Sequence, residues 1–200
     1  MDEINYDLLS IDELNIEVKK GNLNALFNIS ERYLSGKGVE QDIHKALEGF
    51  NIVYKESQDI DLKYCASSIM GEFYLNDEQN KNIDLGLKYL EEASEYGLPN
   101  ALLYLGIYLT GIDDNFDRTE EQLQHGAKLL IELYERSKIE SPDVTGGIAY
   151  YVAVLYAYGK GVNKDLLKAK EYVEYTLKRY EHKASEELLK YIKEELNKEV

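Results

Sequence analysis

A stretch near the start of the chain recurs near its end, and this self-similarity restricts the fold more than any other feature. Tyr33, Gly36, Lys37, Gly38, Val39, Asp42, Lys45 and Ala46 return as Tyr156, Gly159, Lys160, Gly161, Val162, Asp165, Lys168 and Ala169, eight of fourteen positions at a constant separation of 123 residues. That separation is three periods of 41, so two further copies are expected between them. Periods of this length belong to arrays of supersecondary units, each too small to bury its apolar face alone.

Degenerate intermediate copies are present. Ala66, Met70, Gly71 and Tyr74 repeat the offsets of Ala25, Ile29, Ser30 and Tyr33, and Gly86, Tyr89, Ala93 and Gly97 continue that second copy. The third keeps Ala101, Leu105 and Gly106 but has Leu109 in place of the tyrosine, and the fourth begins near Ile148, Val152 and Ala153. Each copy reads as a helix, a turn and a second helix. Small residues such as Ala66 with Gly71 and Ala101 with Gly106 let helices approach closely, while Met70 and Leu105 fill the space between. In Gly-Lys-Gly-Val the glycines permit positive φ where the first helix stops, and the valine can pin the turn to the core. Asp42 and Asp165 fall in the opening turn of the second helix, where the dipole favours negative charge.

The pattern Ala-x3-Leu-Gly-x2-Tyr-x2-Gly-x-Gly-Val-x2-Asp-x2-Lys-Ala resembles the Sel1-like repeat family, relatives of the tetratricopeptide repeats, over about residues 21–181. The resemblance implies an all-α fold, a right-handed superhelical α-solenoid of about four helix-turn-helix repeats with capping helices. It also implies a concave face lined by the first helices and a role as adaptor or scaffold for other proteins.

The expected divisions are an N-terminal capping helix over 1–20, repeats over 21–57, 58–97, 98–140 and 141–181, and a C-terminal capping helix over 182–200. Ser10 and Glu13 have capping-box spacing ahead of a helix reaching Lys20, and Gly21-Asn22 stops it. From Ala184 to Lys198, Leu188, Leu189, Ile192 and Leu196 alternate with Glu and Lys, giving an amphipathic closing helix with a polar outer face. Only two prolines, Pro99 and Pro142, interrupt a chain rich in helix formers. About 70–80% helix and no sheet is therefore expected.

The net charge is −15, and it is uneven. Residues 1–20 carry six acids against two lysines and residues 56–96 ten acids against three, whereas residues 159–200 balance ten bases with nine acids. Such a field disfavours nucleic acid and anionic lipid and suits a basic partner, although it also serves as a solubilising surface. The longest apolar stretch, Ile148 to Tyr158, is too short to span a bilayer, so no membrane insertion is expected. No signal peptide is expected from the acidic N-terminus, and a single cysteine, Cys65, fits a reducing, cytoplasmic setting. Monomers or weak homo-oligomers are expected.

No catalytic constellation emerges, and neither an enzyme nor a cofactor is expected. Gly36-Lys37-Gly38 and Gly159-Lys160-Gly161 lack the upstream glycine and following Ser or Thr of a phosphate loop. His44, His125 and His182 stand apart at exposed helical positions, without a second histidine at metal-ligand spacing. Asp113, Asp114, Asn115 and Asp117 resemble the opening of a calcium loop, but Arg118 stands where glycine is needed and Gln124 where glutamate is needed, so a solvated acidic loop is expected. Cys65, beside Ala66, is expected to be an inert thiol.

Tyrosine is unusually frequent, with eighteen copies and no tryptophan. Tyr33, Tyr74, Tyr89, Tyr156 and Tyr172 are expected to pack within repeats, while Tyr150, Tyr151 and Tyr158 are extra and suit an interface or core equally. Carrying the groove-lining offsets of the tetratricopeptide relatives onto this repeat points to Asn24, Phe27, Glu31, Ser68, Glu72, Asn100, Leu103, Ile107, Tyr150 and Tyr158 as protein-binding residues. Glu31 and Glu72 would make the groove acidic, with Asp77, Glu78, Asp113, Asp114 and Asp117 at its edge. The resulting expectation is a non-catalytic adaptor, with an acidic inhibitor or immunity protein that neutralises a basic toxin or nuclease as the alternative.

Overall fold

The computed structural model describes residues 4–113 and 117–198. Among these residues 75% are helical and none is in a strand. A short 3-10 turn, Tyr6–Leu8, is followed by α1 (Ile11–Lys19), α2 (Leu23–Ser35), α3 (Ile43–Glu56), α4 (Ile60–Asn76) and α5 (Ile83–Glu95). Then come α6 (Pro99–Thr110), α7 (Glu120–Glu140), α8 (Thr145–Tyr158), α9 (Leu166–Leu177) and α10 (Lys183–Lys198). The chain divides into two compact units, residues 1–101 and 102–200, with the division inside α6.

Helix starts follow side-chain chemistry. Asn22, Asp42, Asp59, Asn82 and Asp165 each precede a helix and accept a hydrogen bond from the backbone N–H three residues on, which satisfies a donor that the helix leaves free. Asp42 and Asp165 thus stand at the N-cap itself, one step before the first helical residue. Ser10 with Glu13, and Thr119 with Gln122, form reciprocal capping boxes.

In the first unit each helix from α1 to α5 packs on the next. Leu14, Ala25 and Ile29 make one apolar cluster, and Ala46, Phe50, Val53, Ala66, Met70 and Tyr89 another. Within the α4–α5 pair the approach is close enough that a Cβ on Gly71 would lie 2.7 Å from Leu90 and 3.0 Å from the Gly86 carbonyl. In the second unit α7 packs on α8, α8 on α9 and α9 on α10, around Ala153, Val154, Ala157, Leu166, Ala169, Val173, Leu188 and Ile192. There Gly106 of α6 meets Leu130 and the Gly126 carbonyl of α7 in the same close fashion.

Candidate functional site

In the first unit, Asn24, Phe27, Asn28 and Glu31 recur at intervals of three and four residues and so share one face of α2. With Ile4, Asn5, Tyr6, Asp7, Asp59 and Leu62 they line an open cavity of about 810 Å³. Its N-terminal wall is held by Arg32, whose Nη1 donates to the Leu9 carbonyl at 2.7 Å and whose Nη2 donates to the Tyr6 and Asp7 carbonyls at 3.1 Å. A second cavity of about 450 Å³ shares Asp7, Asn28 and Glu31 and runs on to Lys37, Ile69 and Glu72. Glu31 keeps an exposed side chain, yet the walls around its carboxyl push it above the ordinary carboxylate range, the Asp7 charge adds to this, and Lys37 offsets part of it.

In the second unit, Tyr150 and Tyr158 line a cavity of about 440 Å³ with Ile112, Val154, Lys160, Glu187 and Leu188. The Tyr150 ring meets Tyr151 and His182 edge-on at 5.4 and 4.7 Å. Tyr158 stacks on Tyr191 at 5.1 Å and remains 51% exposed. Burial, then the Asp113 charge, raises the Tyr150 phenol above its usual range, so it stays protonated and can donate.

The other expected binding residues lie apart from these cavities. Ser68 is buried, 5% exposed, and its neighbour Ser67 donates its hydroxyl to the Tyr89 carbonyl across the α4–α5 interface. It therefore offers almost no surface to a partner. Asn100 is exposed in the first turn of α6, while Leu103 and Ile107 pack half-buried against Ala127, Leu130 and Leu155. Sequence reasoning missed Asp7, Asn28 and Arg32, whose placement depends on an N-terminal turn folding back onto α2.

Other chemical candidates are accounted for structurally. Cys65 is half-buried, and desolvation followed by the Asp61, Glu31 and Asp59 charges raises its thiol, which opposes thiolate formation. His44 and His125 are exposed. His182 departs from that expectation: it is half-buried, and its Nδ1 lies 2.6 Å from Ser185 Oγ at the start of α10. In the acidic loop, Asp114, Asn115 and Phe116 lie outside the described residues, and Arg118 turns back to donate from Nε to the Tyr108 carbonyl at 3.0 Å. Among the described residues no group of three or more His, Cys, Asp or Glu is placed to hold a metal ion, and no helix is long and apolar enough to cross a membrane.

The Sel1 repeat model matches residues 23–48, 67–97 and 149–175, leaving α6 and α7 outside the matched segments. No curated protein sequence matches the chain. A protective antigen of uropathogenic Escherichia coli with an SLR fold superposes at TM-score 0.67 and 17% identity, over 90% of this chain and 34% of its own. A Sel1 repeat protein of Oxalobacter formigenes superposes at TM-score 0.55 and 17% identity, over 88% of this chain and 47% of its own. This chain therefore spans about a third and about half of those two proteins. An immunity protein of Pseudomonas aeruginosa aligns at TM-score 0.34 and 17% identity, over 84% of this chain and 72% of its own, a likeness too loose to carry an argument. Sel1 repeats are generally non-catalytic and mediate protein–protein interaction. Helix pairs that close on glycine contacts, three segments matched by the Sel1 repeat model and two solenoids of that fold together describe an all-α array of helix pairs that carries Sel1-type repeats.

Proposed function

We propose that the chain is a non-catalytic protein-binding module, with one binding surface on α2 in its first unit and a separate one on α8 in its second. The observation that carries this reading is the α2 face, where Asn24, Phe27 and Glu31 line a large open cavity whose opposite wall is fixed by Arg32. An apolar ring flanked by polar side chains is the usual composition of a peptide-binding groove, and the aromatic anchor carries most of the affinity. Affinity capture from the source cell with the parent chain, Phe27→Ala and Tyr150→Ala tests it. The same protein should be retained by the parent and depleted at least tenfold by one of the variants, with helical content unchanged. Full retention by both variants removes the groove assignment.

Asp7, Glu31 and Glu72 gather around the two first-unit cavities, which favours a basic partner and keeps the inhibitor reading in play as a more specific form of the same activity. Charge complementarity acts mainly on encounter and is screened over about 8 Å at physiological salt. An inhibitor of a basic protein associates much more slowly as salt rises, whereas an adaptor gripping an apolar segment keeps its association rate.

A further inference from the structure

We draw no further inference here: the strongest candidate, the tyrosine-lined cavity between α8 and α10 in the second unit, belongs to the binding surface already described, and nothing in the structure shows what covers it.

Discussion

The Gly-Lys-Gly-Val turns of the first and fourth repeats share their internal geometry and differ in everything around it. In both, α2 or α8 ends on a left-handed glycine, Gly36 or Gly159, and the next lysine N–H returns to Arg32 or Leu155. Asp42 N–H donates to the Tyr33 carbonyl, and Asp165 N–H to that of Tyr156. Lys45 sits over the Tyr33 ring at 5.2 Å and Lys168 over Tyr156 at 5.1 Å. The surroundings then part. Lys160 Nζ donates to the Thr110 and Gly111 carbonyls at the end of α6, Gly161 rests on the backbone of Leu123, and Val162 joins the cluster of Ala127, Leu130 and Leu155. Lys37 instead lines a cavity, and Gly38 faces open space. A local motif thus sets its own turn, and the neighbours decide whether that turn locks helices together or borders a groove.

The largest expected contrast lies between the second glycines. At Gly161 a Cβ would collide with the Leu123 carbonyl at φ +67°, whereas at Gly38 only the positive φ opposes it. Gly161→Ala should cost about 3 kcal/mol, overpacking added to left-handed strain, and Gly38→Ala about 1 kcal/mol, both measured by urea unfolding. Equal losses would show that the fourth turn is no more constrained than the first. The lysines come next. Lys160→Met removes the donor of two carbonyls at a helix end and should cost about 2 kcal/mol, while Lys37→Met should stay within about 0.5 kcal/mol.

The N-caps should be alike, which sharpens the contrast by showing what the copies share. Asp42→Ala and Asp165→Ala should each lower stability by about 1 kcal/mol, and a difference larger than that would mean that the environment reaches into the turn itself. The smallest effect is a pH response confined to the groove side. The raised carboxyl of Glu31 means that the folded chain holds a proton there more tightly than the unfolded chain. Stability from this group is complete below the unfolded value of 4.5 and is lost as pH rises through the higher folded value. Asp42 runs the other way, since hydrogen bonds from Lys45 lower it, and its contribution fades as pH falls below the unfolded 3.8. Urea midpoints between pH 4 and 7 should therefore decline slightly less in Glu31→Gln than in the parent, with no change in the acid limb below pH 4.

Much of this was legible from residue order. The capping box at Ser10 and Glu13, the glycine helix stops and the capping aspartates act within four residues of themselves, so the chain displays them directly. Small residues at Gly71 and Gly106 pointed to close helix approach because glycine has few other uses inside a helix. The Lys160 clamp was not legible, since its acceptors are backbone carbonyls some fifty residues away and carry no side-chain signature. The groove was half legible. Asn24, Phe27 and Glu31 follow from the groove-lining offsets that the tetratricopeptide resemblance implies, but Asn28 reads as an ordinary polar residue until Asp7 is brought against it. Ser68 shows the opposite failure, because a repeat offset fixes a helix face but not what covers it.

The staple that Arg32 places across Tyr6, Asp7 and Leu9 makes the N-terminal turn a gate in the kinetic sense. Short irregular segments held by a few hydrogen bonds open more often than packed helices do, and one wall of the groove is such a segment. Each time the guanidinium lets go, Asp7 leaves Asn28 and the groove loses its floor, so apparent affinity scales with the fraction of time that the staple is closed. A partner bound in this groove would in turn slow amide exchange and proteolysis at residues 6–9. Protection of the N-terminus thereby becomes a clock for residence in the groove.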